Sequence, residues 1–293
     1  MKWKNEILGK WTSFLCAGLV IVITLSIVSF IGIKGLSTFI NTGISPVDVL
    51  FSTDWIPDRP DAEGGPALGI LPFFVGSIVV SLLAVSLSAP LSIMAAFFIN
   101  EIAPAWGKKM LQPAIELLAG IPSVVYGWLG LSILVPLIRN AFGGLGFSLL
   151  AGALVLAVMI MPTIVSVSVD TIRALPGSYK EAAFALGSTR WQAIRTVLLP
   201  AALPGILTGI VLGLSRAFGE ALAVQMVIGN VREIPNSLFK PATTLTSGIT
   251  MDMGYTVMGS LWNNALWTMA LLLLLMSFVF IILIRLIGKK GLA

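Results

Sequence analysis

Histidine is absent from this 293-residue chain, and cysteine occurs once, as Cys16 inside an apolar run. Without histidine there is no imidazole metal site, no His general base and no His proton relay. The His-Glu-x-x-His pattern of zinc proteases is excluded with it. One thiol cannot close an internal disulfide, so no redox framework exists. Charged residues make up only 11% of the chain, too few to cover a soluble domain of this length. No Gly-x4-Gly-Lys-Ser/Thr loop occurs, so the chain is not its own ATPase by that mechanism. Asp54, Asp58 and Asp61 lack the glycine and terminal glutamate of a calcium loop. No nucleophile–base–orienter set is visible. The expectation is a non-enzymatic chain with no cofactor and no metal, whose energy for any active work comes from a partner or an ion gradient.

What is present is hydrocarbon. Hydrophobic residues reach 57% and the mean hydropathy is +1.00. Apolar windows fall at roughly 13–33, 73–99, 114–138, 147–169, 203–229 and 264–287, each longer than the ~18 residues of a candidate spanning helix. The first window follows Lys2, Lys4 and Lys10 but is too long for a signal peptide and has no small-residue cleavage site, so it reads as a retained helix. Pro90, Pro122, Pro136, Pro162 and Pro204 interrupt spans. Such breaks are tolerated where neighbouring helices or a cavity satisfy the freed carbonyls. The fold class is an all-α polytopic membrane protein with six transmembrane helices, one domain over 1–293.

The net charge of +5 is unevenly spread. With the N-terminus inside, inner segments hold Lys2, Lys4, Lys10, Lys108, Lys109, Arg173, Lys180, Arg190, Arg195, Arg285, Lys289 and Lys290. Outer segments hold only Lys34, Arg59, Arg139, Arg232 and Lys240. The positive-inside rule then places both termini and the 170–200 loop in the cytoplasm, and the 34–70 loop outside. The basic excess reports topology, not nucleic acid. The Phe51–Pro57 core of the outer loop carries large apolar groups among turn formers, and reads either as an interfacial flap, since Trp favours the headgroup level, or as a landing surface for an external partner.

Two ionisable residues stand inside the fifth window, Arg216 and Glu220. A charge at the bilayer centre costs at least ~2.5–3.5 kcal/mol, so it faces a cavity or a partner. On an unbroken helix the spacing of four puts both on one face. They form either a self-neutralising structural pair or an anion way-station in which Arg216 presents its planar donors to an oxyanion. Gly205, Gly209 and Gly213 make a small-residue seam on the same helix, for packing within this chain or against a second membrane subunit. In the third window, Gly120, Pro122 and Gly127 imply a kinked helix, with Ser123 and Tyr126 offering hydroxyls to a cavity. Glu116, at its inner end, is expected to snorkel or to pair with Lys108 or Lys109.

The polar break from Ser178 to Pro200 has its own local grammar. Ser178 with Glu181 reads as a capping box opening a short helix. Gly187 is placed to end that helix in a left-handed turn. Thr189 with Gln192 reads as a second capping box, opening a helix that runs toward Pro200. Ala182 and Ala183 would give the first helix a smooth face for another protein.

Glu181-Ala182-Ala183, Gly187, Val197 and Leu199-Pro200 together resemble the cytoplasmic signature of permease subunits of bacterial ABC importers: Glu-Ala-Ala, three residues, Gly, nine residues, an aliphatic, one residue, Leu-Pro. The stretches Glu116–Gly127 and Arg216–Glu220, with Trp55 and Pro57, resemble the phosphate-specific (Pst) permeases, in particular their C-type subunit. That resemblance implies a type I ABC-importer permease fold in the bacterial cytoplasmic membrane, translocating inorganic phosphate beside a homologous second permease. It also implies two ATPase subunits docked on Glu181, Ala182, Ala183 and Gly187, and an extracytoplasmic phosphate-binding protein. Another oxyanion such as sulfate or molybdate, or a secondary anion transporter, remains the alternative on the residues alone.

Overall fold

In the computed structural model, which describes residues 2–290, thirteen α-helices and one small hairpin follow one another. They are α1 (Lys2–Thr42), α2 (Pro46–Phe51), β1 (Trp55–Ile56), β2 (Ala67–Leu68), α3 (Leu71–Phe97), α4 (Ala105–Gly120), α5 (Ser123–Leu129), α6 (Val135–Phe142), α7 (Leu149–Arg173), α8 (Gly177–Ala185), α9 (Arg190–Ala193), α10 (Leu199–Gly219), α11 (Leu222–Ile228), α12 (Leu245–Asp252) and α13 (Leu261–Lys290). Wide π-turns at Phe98–Ile102, Gly130–Leu134 and Ile194–Leu198 join several of them. Among the described residues, six helical segments are long and apolar enough to cross a membrane: Gly9–Ile40, Leu71–Ile102, Ser123–Phe142, Leu149–Arg173, Arg190–Gly219 and Leu261–Leu286.

α7 is the axis of the bundle. Leu149, Leu156, Ile160 and Ile164 are fully buried along it, as expected of a helix that is apolar on every side and surrounded by others. α3, α10, α11 and α4 pack around it. α1 joins the bundle through its last third, where the Thr268 hydroxyl donates to the Gly35 carbonyl at 2.7 Å. From Trp11 to Phe30 most of its apolar side chains are exposed, the surface that a spanning helix offers to lipid or to another helix.

Two ends can be distinguished. At one, the backbone N–H groups of Leu149 and Leu150 donate to the carbonyls of Lys240 and Leu238, and β1 meets α12. At the other, α8 meets the π-turn after α3 through Lys180 and Glu101.

Several sequence expectations need correction. The segment 34–70 is not loop throughout: α1 continues to Thr42 and α2 follows. The third window is not one kinked helix: it breaks at Ile121–Pro122, between α4 and α5, because Pro122 has no N–H to continue the ladder, and then runs on through the π-turn Gly130–Leu134 into α6. The fifth window is also two, α10 and α11, with Glu220 in extended conformation (ψ 125) between them. Within the 51–57 core Phe51 and Ile56 are exposed, but Trp55 does not reach the surface. It is buried, and its indole Nε1–H donates to Asp252 Oδ2 at 2.8 Å. Asp252 also accepts from Arg232 Nη2 at 2.7 Å, so one buried carboxylate ties β1, the 229–244 stretch and α12 together.

Candidate functional site

The close approach of α10 to α7 builds the centre of the bundle. Gly205 lies against the Thr171 side chain, Gly209 against Val167 and the Ile164 carbonyl, and Gly213 against Ile164. A β-carbon at Gly205 would overlap Thr171. The glycine seam therefore packs within this chain, onto α7. Farther along the same helix Arg216 lies half buried, its Nη1 3.4 Å from the Thr163 hydroxyl of α7. A guanidinium has five N–H donors, and among the described residues this long contact is the only hydrogen bond that Arg216 makes.

Tyr126, near the start of α5, is buried and lies within electrostatic reach of Arg216. Its hydroxyl donates to the Leu118 carbonyl at 2.8 Å. That carbonyl is the one whose regular helical partner would be the missing N–H of Pro122; the Ile121 N–H donates to it as well, at 3.3 Å. Ser123 opens α5 half buried, and among the described residues no hydrogen bond joins it to Arg216 or Tyr126. The arrangement is a single guanidinium against the Thr163 hydroxyl, with Tyr126 in electrostatic reach, near the breaks between α4 and α5 and between α10 and α11.

Glu220 does not share a helical face with Arg216, because α10 stops at Gly219. No ion pair joins the two among the described residues. Instead Glu220 Oε1 accepts from the Ala223 N–H at 3.0 Å, satisfying one of the free donors that open α11. Its own carbonyl accepts from the Thr246 hydroxyl at 2.8 Å. Glu220 is thus a cap at the break, and the self-neutralised pair is not formed. Glu116 is exposed and, among the described residues, pairs with neither Lys108 nor Lys109: Gln112 Nε2 donates to it at 3.2 Å, while Lys108 turns to the Asn100 carbonyl.

In the polar break, α8 begins at Gly177 after Pro176, two residues too early for Ser178 to cap it, and no side chain caps its start. Gly187 (φ +79) closes the helix: its N–H donates to the Phe184 carbonyl and that of Ser188 to Ala183, the Schellman pattern. Thr189 and Gln192 form the reciprocal capping box. α9 then passes through the π-turn Ile194–Leu198 into α10, so Leu199 and Pro200 open the spanning helix instead of ending a short one. The two alanines part company. Ala182 is exposed with Glu181, whereas Ala183 is 4% exposed and packs inward. Tyr179, Ala182 and Leu186 share the outward face at spacings of three and four, and Leu186 is 87% exposed. Trp191 and Phe184 are exposed nearby in sequence.

Sequence reasoning missed Thr163, the Asp252–Arg232–Trp55 joint, the Lys180–Glu101 ion pair and the exposed Tyr179, Leu186 and Trp191. Only the last group left a signal, large apolar side chains in an otherwise polar segment.

The model of the binding-protein-dependent transport system inner membrane component matches residues 88–290. The chain belongs to that family. Among relatives of this transport component, a probable ABC transporter permease protein, YqgH of Bacillus subtilis, is 53% identical over 98% of this chain and 92% of its own. The phosphate transport system permease protein PstC of Haemophilus influenzae is 34% identical, covering 97% of this chain and 93% of its own. A chain of the bacterial alginate ABC transporter, solved with an alginate pentasaccharide-bound periplasmic protein, superposes with a TM-score of 0.67 over 98% of this chain and 97% of that one, at 15% identity. The last likeness concerns the fold alone. This family member is a multi-pass membrane permease.

Proposed function

We propose that this permease carries inorganic phosphate into the cell as one of two homologous membrane subunits of an ABC importer. The observation that carries the reading is the underused guanidinium of Arg216 at the centre of the bundle. A fixed fork of donors with one weak protein partner suits an oxyanion; the Thr163 hydroxyl lies against it and Tyr126 is in electrostatic reach. The 34% likeness to a phosphate transport permease supports phosphate as that oxyanion. Glu220, holding the helix break open, has a positioning role.

Two ATPase subunits would dock on α8 through Tyr179, Glu181, Ala182 and Leu186, with Gly187 fixing the end of the lever and Leu199-Pro200 passing its motion into α10. A phosphate-binding protein would deliver substrate at the Trp55 end. The termini and α8 then face the cytoplasm, in keeping with the basic residues gathered there. Rocking of the helices about the broken segments would alternate access to Arg216.

The test is uptake of labelled phosphate into liposomes bearing the assembled transporter, its binding protein and internal ATP. Arg216→Leu should abolish uptake and Arg216→Lys should reduce it, with assembly unchanged. Wild-type uptake by an assembled Leu variant removes the site, and equal uptake of sulfate removes the phosphate assignment.

A further inference from the structure

Beyond its direct chain link back to α7, α8 has one covalent route forward into the bundle, through α9, the π-turn Ile194–Leu198 and α10 to Arg216. A second route is built from side chains. Lys180, on α8, donates to Glu101 Oε2 at 2.5 Å, with the Glu101 side chain only 12% exposed. Glu101 lies in the π-turn Phe98–Ile102, a type of irregularity common at functional joints. Its neighbour Asn100 accepts from Arg173 Nε at 3.2 Å through Oδ1, and donates through Nδ2 to the Val169 carbonyl at 3.1 Å. Arg173 Nη2 in turn donates to Gln112 Oε1 of α4 at 2.7 Å. α4 ends at the Pro122 break, where Tyr126 holds the Leu118 carbonyl. The two routes leave α8 on different elements, one reaching Arg216 and the other Tyr126, which lie within electrostatic reach of each other.

We propose that the Lys180–Glu101 ion pair is a transmission joint, coupling movement of α8 to α3 and α4 while α9 and α10 carry it to Arg216. The inference rests on the reading of α8 as the ATPase dock. Lys180 and Glu101 are positioning residues here; neither touches substrate. With both routes intact, displacement of α8 shifts the Tyr126 and Arg216 sides of the site together. With the ion pair removed, α10 still moves but α4 lags, and ATP is hydrolysed without productive opening.

The test uses the complete transporter in liposomes and reads phosphate moved per ATP hydrolysed. Lys180→Gln and Glu101→Gln should each lower that ratio about two- to fivefold, the scale expected for a half-exposed ion pair, with the ATPase still co-purifying. The exchanged pair, Lys180→Glu with Glu101→Lys, should recover most of the loss, which a purely structural defect at either position would not allow. If a single variant fails to assemble, Lys180→Met with Glu101→Leu removes both charges together and leaves none unpaired. An unchanged ratio in assembled variants overturns the joint while leaving the dock intact. A wild-type permease that brings down no ATPase overturns the dock and the joint together.

Discussion

Replacing Asp252 with alanine should loosen the bundle at the end opposite α8, by an amount that can be worked from its contacts. The Trp55 indole N–H is buried and donates to Asp252 Oδ2 at 2.8 Å. Deleting the acceptor leaves a buried donor unsatisfied, at a cost of about 1–3 kcal/mol. The bond to Arg232, at 2.7 Å, adds less, because the Arg232 side chain is 39% exposed and water replaces its partner; about 1 kcal/mol is a generous figure. The total, roughly 2–4 kcal/mol, corresponds to a fall in melting temperature on the order of 5–15 °C for a chain of this size. Asp252→Asn retains an acceptor for the indole, so it should fall by less than half as much. The effect should reach the site, since α12 places the Thr246 hydroxyl on the Glu220 carbonyl at the helix break. Thermal unfolding of the purified permease in detergent, read by tryptophan emission, measures both variants. If the alanine and asparagine variants melt together, or both match wild type, the indole–carboxylate bond is not what holds this joint.

Other expectations follow from the same contacts. Gly205→Leu should prevent α10 from closing on Thr171 and cut the yield of folded permease, while Thr208→Leu, exposed on the same helix, should not; size-exclusion profiles compare them. Leu186→Asp should leave folding within about 0.5 kcal/mol yet reduce ATPase co-purification, because the side chain projects fully from α8. Gly187→Val should destabilise the left-handed turn by about 1–3 kcal/mol and uncouple ATP hydrolysis from uptake without stopping membrane insertion. A bulky residue at Ala183 should instead lower stability, since that position packs inward. Tyr126→Phe removes one of the two donors to the Leu118 carbonyl, costing about 1 kcal/mol, and should weaken phosphate uptake more than it lowers the melting temperature.

Composition and periodicity determined much of this protein alone. Six apolar runs and the scarcity of charge dictate a helical membrane bundle, because backbone polar groups in hydrocarbon must pair within their own helix. The Thr189–Gln192 box and the turn at Gly187 were legible because capping chemistry is local: donor and acceptor lie within one helical turn. Tertiary structure decided what depends on partners distant in sequence. Arg216 and Glu220 look paired on a continuous helix, and only the end of α10 at Gly219, with α11 and α12 taking the Glu220 side chain and carbonyl, separates them. Ala182 and Ala183 are identical in sequence terms, yet packing against the following turn buries one and leaves its neighbour outside. Trp55 finds Asp252, and Lys180 finds Glu101, across chain separations that no periodicity encodes. Helix ends and caps are written in a few adjacent residues; which charge meets which hydroxyl is settled by how those helices close on one another.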